Sequence, residues 1–220
     1  MKKGDINWLL ILLTFVAILA IPSTRKVFIS VTDAYPYAVG FIKFAILATM
    51  GELLGARVVN NEWKMPKGVF YKAIIWGIIG MMITLVFTVY MGGVAVAQAS
   101  GKLPFEGIAL AQAFFGSLIM NFTFAPAMFI FHKFTDLYIE NKMEKNGGKV
   151  MLSALVDQVD WHLLVEFSIL KTAPFFWVPA HTLVFLLPLQ YRVAASAFLS
   201  IALGLLLALA KKGKPKPALQ

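Results

Sequence analysis

The sequence predicts an all-α membrane protein, a polytopic transmembrane helix bundle of about six spans in a single domain over residues 1–220. Of its residues, 60% are hydrophobic and 14% are charged, whereas soluble domains contain about 45–50% apolar and about 25% charged residues. Apolar runs of roughly 20 residues, the length that crosses a bilayer, recur along the chain. No stretch alternates with the period of a β-strand, so helices are expected to satisfy the backbone polar groups in lipid.

The first predicted span covers about residues 6–21, between Lys2-Lys3 and Pro22. A basic start followed by an apolar run also fits a signal peptide. No small-x-small cleavage site follows clearly, and Pro22 comes directly after the run. An uncleaved anchor is therefore the favoured interpretation.

The next three spans are predicted at about residues 37–59, 69–98 and 107–131. The third is long enough to tilt or to extend beyond the bilayer. The polar stretch 132–149 then predicts a loop with an amphipathic start.

The last two spans are predicted at about residues 163–187 and 189–210. Pro174, Pro179 and Pro188 interrupt the apolar residues of the fifth segment, which predicts a Pro-broken helix. Residues 211–220 predict a basic disordered tail.

The distribution of basic residues predicts the orientation. With six spans and the N-terminus inside, the inner side holds fourteen of the 20 Lys and Arg residues, the outer side holds four, and two fall within spans. Basic loops are retained on the cytoplasmic side, so both termini are expected there. The absence of an Arg- and Ser-rich transit peptide favours a prokaryotic plasma membrane, with an organellar membrane as the alternative.

Several classes of function lack support in the sequence. The chain has no cysteine, its three histidines are scattered, and it contains no Gly-rich phosphate loop or nucleophile elbow. We therefore expect no enzyme activity, no cofactor and no metal. The basic residues form no stripe with exposed aromatics, so no nucleic acid is expected. The expected partners are the lipid bilayer and a small solute or ion, and a homo-oligomer is left open.

Polar residues within the spans are the strongest functional signal. A charged group there costs roughly 2.5–3.5 kcal/mol, so such groups usually face a bundle interior or a water-filled cavity. Lys43 and Glu52 lie nine residues apart, on opposite faces of one helix, and cannot pair. Gln158, His162 and Glu166 recur every fourth residue and share one predicted helix face. A cavity-facing stripe and a plain interhelical hydrogen-bond network both remain open.

Six polar residues are the candidates for lining or gating a path: Glu52, Asp157, Gln158, His162, Glu166 and Arg192. Small residues predict where helices pack closely. Gly51 and Gly55 form one such pair, and Ser196, Ser200 and Gly204 form a second stripe.

The C-terminal third carries Phe176-Trp177-Val178-Pro179-Ala180-His181 and then Pro188-Leu189-Gln190-Tyr191-Arg192. Together with Met50-Gly51-Glu52, Ala125-Pro126, Asp136 and Asp157-Gln158 in the same order, these pieces resemble the Mpv-seventeen and peroxisomal-membrane-protein-twenty-two family of small integral membrane proteins. The chain departs from that pattern because Val178 separates Trp177 from Pro179. It also has an extra helix-sized insertion between residues 60 and 105 and an additional N-terminal span.

The resemblance implies a pore-like membrane protein for small solutes. The family-pattern residues that it adds are Gly51, Pro126, Asp136, Trp177, Pro179, Pro188 and Tyr191. The expected function is a channel-like or transporter-like protein with a polar path between helices. The alternative is a non-transporting protein that binds a lipid or a small apolar ligand, which the aromatic run Phe175-Phe176-Trp177 favours.

Overall fold

A computed structural model describes residues 2–144 and 148–212, and within these ranges the chain is helical and contains no β-strand. Six helices are long and apolar enough to cross a membrane: Lys3–Ala20 (α1), Pro36–Asn60 (α3), Val69–Ala99 (α4), Ala109–Glu144 (α5), Leu163–Phe185 and Leu189–Leu206. The last belongs to α8, Leu189–Lys212, and two shorter helices are α2, Pro22–Ala34, and α6, Leu152–Gln158. The polytopic helix bundle is therefore confirmed. Of the predicted disordered tail, residues 213–220 lie outside the described residues, and the prediction is wrong for Lys211 and Lys212, which belong to α8.

The N-terminal helix α1 packs on the outside of the bundle, with no fully buried residue. Its start is fixed at the end of α3, because Lys2 Nζ donates a hydrogen bond to the carbonyl of Asn61 (2.8 Å) and Arg57 Nε pairs with Asp5 Oδ1 (3.0 Å). After α1 ends at Ala20, α2 begins at Pro22, a residue suited to a first helical turn. This short exposed helix was not predicted.

Helix α3 occupies the centre of the bundle and packs against α4 and α8. A Cβ added at Gly51 would lie 2.8 Å from the carbonyl oxygen of Ser200, and one at Gly204 would lie 2.7 Å from that of Gly51. The helix backbones thus approach each other where only glycine leaves room. Close packing is confirmed for Gly51, Gly55, Ser200 and Gly204, whereas the Ser196 hydroxyl contacts His181.

Helix α5 is longer than predicted, and the expected loop over 132–149 is wrong for residues 132–144, which are helical. The polar residues of this part are partly exposed, and two of them, Asp136 and Glu140, pair with Lys72 of α4. The charged residues that predicted a loop therefore include two that form ion pairs between helices α4 and α5.

The fifth segment continues from Leu163 to Phe185, and the interruption that its prolines predict is a change of helical type. Residues Leu163–Trp177 form a π-helix, and Val178–Phe185 (α7) form an α-helix. Pro174 lies inside the π-helix, and Pro179 lies in the first turn of α7. A proline supplies no backbone N–H, so it is tolerated in a first turn and disturbs an α-helix interior.

The bundle has two ends, which we name after a basic residue at each. The Lys72 end contains the starts of α1 and α4 and the end of α3. The Arg192 end contains the turn from α2 to α3 and the start of α8, where Gln190 Nε2 donates to Asp33 Oδ1 (3.1 Å).

Candidate functional site

A cavity of about 290 Å³ lies inside the bundle between α3, α4, α5, α8 and the fifth segment. We call it the aromatic cavity, because its walls include six aromatic rings besides histidine: Phe44, Trp76, Phe87, Phe124, Phe129 and Trp177. Polar side chains meet it near both ends, with Glu52 and His132 towards the Lys72 end and Asn121, His181 and Ser196 in its other half.

Glu52 is held at the Lys72 end of the aromatic cavity by two rings. Trp76 Nε1 donates a hydrogen bond to Glu52 Oε1 (3.0 Å). His132 Nε2 lies 3.3 Å from the same oxygen, although it is not aligned as a hydrogen-bond donor to it. The centroids of the Trp76 and His132 rings lie 4.2 Å apart, so the two rings support each other beside the carboxylate.

Behind Glu52 lies an ion network centred on Lys72, which is 7% exposed. Lys72 Nζ lies 2.8 Å from Glu140 Oε1 and 3.3 Å from Asp136 Oδ1. Ligand atoms of Glu52, His132 and Asp136 lie within 4.8 Å of one another, a spacing that could hold a metal ion. The single ammonium of Lys72 lies close to both Asp136 and Glu140, so it offsets only part of the negative charge of this cluster.

The other half of the aromatic cavity is organised around His181, which is buried. Its Nδ1 lies 3.2 Å from Asn121 Nδ2, and its Nε2 lies 3.1 Å from Ser196 Oγ. An amide nitrogen can only donate, so His181 Nδ1 accepts and Nε2 carries the proton. The ring stacks on Trp177 at 5.0 Å. The buried Trp177 Nε1 has no hydrogen-bond partner among the described residues.

A second cavity of about 650 Å³ lies at the Arg192 end, and we call it the vestibule. Its walls include Lys43, Arg192 and Asp33. Lys43 Nζ donates to Thr32 Oγ1 (3.2 Å) and lies 4.3 Å from the centroid of the Phe28 ring. Arg192 Nε donates to the carbonyl of Leu187 (2.9 Å), and Asp33 accepts from Gln190.

Phe87 of α4 lines both cavities. The side chain is 5% exposed, and its ring lies 4.9 Å from Phe185 and 5.6 Å from His181, centroid to centroid. The aromatic cavity and the vestibule therefore meet at one aromatic side chain.

The structure distributes the six predicted path residues between the interior and the surface. Glu52 lines the aromatic cavity and Arg192 lines the vestibule, whereas neither cavity is lined by the other four: Asp157, Gln158, His162 and Glu166. Gln158 instead accepts a hydrogen bond from Asn141 Nδ2 (2.8 Å).

The single helix face predicted for Gln158, His162 and Glu166 is wrong. Helix α6 ends at Gln158, and the backbone of Val159 is extended, so Gln158 belongs to a different helix from the other two. His162 Nδ1 lies 3.1 Å from Glu166 Oε2, and the two side chains are 81% and 56% exposed.

The residues from the family pattern occupy varied positions. Gly51 and Trp177 line the aromatic cavity, and Asp136 pairs with Lys72. Of the others, Pro126 lies inside α5, and the Tyr191 ring stacks on Phe28 at 6.0 Å. Pro188 directly precedes α8.

Sequence reasoning missed His132, Glu140 and Phe87, and it named Asp136 only as part of the family pattern. His132, Asp136 and Glu140 recur every fourth residue, a spacing that could have identified them as one helix face. They lay outside the predicted span, in the expected loop. Phe87 carries no such signal, because one phenylalanine in an apolar span looks like any other.

The fold and the two cavities define a multi-pass helical membrane protein with an internal cavity that is aromatic along its walls and polar near its ends. Comparisons with family models, with curated proteins and with solved structures find no match to this chain.

Proposed function

We propose that this protein passes small solutes or ions across a membrane along a path made of the vestibule and the aromatic cavity. The observation that carries the proposal is that the two cavities share Phe87. Lys43 lines one cavity and Glu52 the other, nine residues or about 13 Å apart along α3. Charged groups at membrane depth usually mark such a path.

Phe87 is the gate of the proposed path. Its ring packs edge-on against Phe185 and His181, so it separates the cavities by apolar contact rather than by a hydrogen bond. The ring makes no hydrogen bond, so its displacement in the proposed opening would break no polar interaction. An apolar constriction of this kind closes a pore by excluding water.

The proposed membrane is a prokaryotic plasma membrane, with an organellar membrane as the alternative. The proposed orientation places the Lys72 end in the cytoplasm. Lys2 lies at that end, and Lys64 and Lys67 belong to the loop that joins α3 to α4 there. Basic loops favour the cytoplasmic side.

Membership of the Mpv-seventeen and peroxisomal-membrane-protein-twenty-two family is likewise a proposal. Its support is that three residues of the family pattern, Gly51, Glu52 and Trp177, line the aromatic cavity. The proposed activity is passage of a solute without chemical conversion.

Conductance of the purified protein in planar bilayers with potassium chloride tests the path. Phe87→Ala opens the constriction and is expected to raise conductance several-fold, whereas Phe87→Trp is expected to lower it. Phe175→Ala is the matched control, since Phe175 is 81% exposed and lines neither cavity. Wild-type conductance equal to that of a protein-free bilayer, or equal effects of the alanine changes at Phe87 and Phe175, would contradict the proposal.

The second candidate is a protein that binds a lipid or small apolar ligand without transporting it. The largely apolar lining and the unpartnered Trp177 N–H favour it, because a bound molecule with an oxygen acceptor would satisfy that group. A ligand that co-purifies in fixed stoichiometry, together with no conductance, would support this function over the first.

A further inference from the structure

We propose that the aromatic cavity is a binding site for a small lipophilic organic cation, whose charged group lies beside Glu52 and whose apolar part lies among the aromatic rings. This inference rests on the proposed function in that it names the class of solute. Binding itself can be measured without transport, so the two can fail separately.

The charge of the cavity wall favours a cation. Among the described residues that line the aromatic cavity, Glu52 is the acidic one, and the lining includes no lysine or arginine. The nearby Lys72 is already paired with Asp136 and Glu140. Among the residues that the structure describes, the carboxylate of Glu52 has a hydrogen bond from Trp76 and the ring of His132 close by, but no Lys or Arg as an ion-pair partner. A cationic ligand would supply that partner.

The aromatic wall favours tight binding of an organic cation over tight binding of a metal or alkali ion. The faces of Trp, Tyr and Phe rings attract a cation within about 6 Å, and quaternary ammonium groups are recognised in this way. A small inorganic ion must replace its water by a shell of oxygen ligands. Across most of this cavity the walls offer rings and aliphatic groups instead of oxygens. A cation that carries its own apolar surface does not need that shell.

The shape of the cavity limits the ligand to a slender molecule. Its wall on α3 runs from Phe44 to Glu52, and its wall on α8 runs from Ser196 to Gly204. Each stretch rises about 12 Å. With a volume of about 290 Å³, the cavity suits one substituted ring with an ammonium group at one end.

Isothermal titration calorimetry of the full-length protein in detergent tests the inference with two probes of nearly equal shape. Benzyltrimethylammonium carries a net positive charge, whereas N,N-dimethylbenzylamine N-oxide has an oxygen in place of one methyl group and no net charge. The oxygen of the N-oxide can also accept a hydrogen bond from Trp177 Nε1. Weaker binding of the N-oxide would therefore reflect its missing charge and not the lack of a polar contact. The wild-type protein is expected to bind the cation at least ten-fold more tightly.

Variants of Glu52 locate the charge that causes this preference. Glu52→Gln is expected to weaken binding of benzyltrimethylammonium at least ten-fold and to leave binding of the N-oxide unchanged, which also shows that the cavity is intact. Glu52→Asp keeps the charge and is expected to retain the preference. The matched control is Glu62→Gln, because Glu62 is an exposed carboxylate paired only with Lys64 among the described salt bridges.

Equal affinity of the wild-type protein for both probes, or no binding of either, would overturn the inference. So would an equal loss of affinity in Glu52→Gln and Glu62→Gln. If Glu52→Gln fails to fold, two other results test the inference: the tighter binding of the cation by the wild-type protein, and its retention in Glu52→Asp. Cation binding without any conductance would remove the transport proposal and keep the site. Potassium conductance without binding of the organic cation would keep the transport proposal and remove the site.

Discussion

The two cavities of this protein contrast in charge and in lining, although α3, α4, α5 and α8 contribute to both. The aromatic cavity has a carboxylate, Glu52, held between two rings, whereas the vestibule has two basic groups, Lys43 and Arg192. Helix α3 supplies Glu52 to one and Lys43 to the other. The position of a charged residue along a span, rather than its mere presence there, therefore sets which ligand each region can attract.

The largest expected effect comes from the two buried lysines, because one is paired and the other is not. Lys72→Met removes the cation that pairs with the largely buried Asp136 and with the half-exposed Glu140. Leaving a buried charge such as Asp136 unpaired costs about 3–5 kcal/mol of unfolding free energy. Lys43→Met removes a buried cation that contacts a hydroxyl and a ring. It is expected to leave stability unchanged or to raise it slightly. Thermal unfolding in detergent measures both.

A double variant sharpens this first test. Adding Asp136→Asn to Lys72→Met removes one of the stranded charges and is expected to recover part of the loss. Equal melting temperatures for Lys72→Met and Lys43→Met would show that the ion network is not what stabilises the Lys72 end.

Replacing a glycine by leucine is also expected to affect stability differently in the walls of the two cavities. The expected difference is smaller than that between the two lysine variants. Gly51→Leu in the wall of the aromatic cavity drives a side chain into α8, and overpacking of this kind costs about 1–3 kcal/mol. Gly92 lies in the wall of the vestibule, and a Cβ there meets nothing within 4 Å. Gly92→Leu is therefore expected to be tolerated. Size-exclusion profiles after graded heating compare the two, and similar losses would contradict the close contact of α3 with α8.

The opposite charges of the two cavities predict opposite effects on ion selectivity. Glu52→Gln is expected to lower the permeability of potassium relative to chloride a few-fold, and Arg192→Ala is expected to raise it, because each removes a charge that faces the proposed path. Reversal potentials in a salt gradient measure the ratio. Glu166→Gln is the matched control, since its carboxylate is exposed and outside both cavities. If all three variants keep the wild-type ratio, the ions take another route.

The smallest expected effect concerns the exposed pair His162 and Glu166. Surface ion pairs contribute about 0–1 kcal/mol, so His162→Ala is expected to change the unfolding free energy by about 0.5 kcal/mol or less. Thermal unfolding of His162→Ala and Lys72→Met in the same detergent compares the two losses of stability. A loss as large as that of Lys72→Met would mean that the pair has a partner beyond those described.

The fold was largely predictable, because hydrophobic length is a local property of the chain. Helices α3, α4 and α8 begin and end within three residues of the predicted spans. The end of α5 was not predictable in this way. A polar run such as 132–144 reads as a loop unless the opposing Lys72 is known, and that residue lies on another helix.

The candidate site was predictable only in part. Glu52 and Arg192 stood out because a charge within a span is costly and therefore informative. Asp157, His162 and Glu166 stood out for the same kind of reason, but their side chains are exposed and line neither cavity. The extended backbone at Val159 separates Gln158 from His162 and Glu166, the other two residues of the predicted helix face. No local sequence pattern predicted this break.

The sequence by itself determined that this protein is a multi-pass helical membrane protein, because apolar runs of this length and number leave no other way to satisfy the backbone. It also determined which glycines and serines form packing surfaces, since small side chains at a spacing of four produce a smooth helix face. Only the tertiary structure decided which charges neutralise one another and where the two cavities meet. Those features depend on residues far apart in the chain, such as Glu52 with His132 and Phe87 with His181.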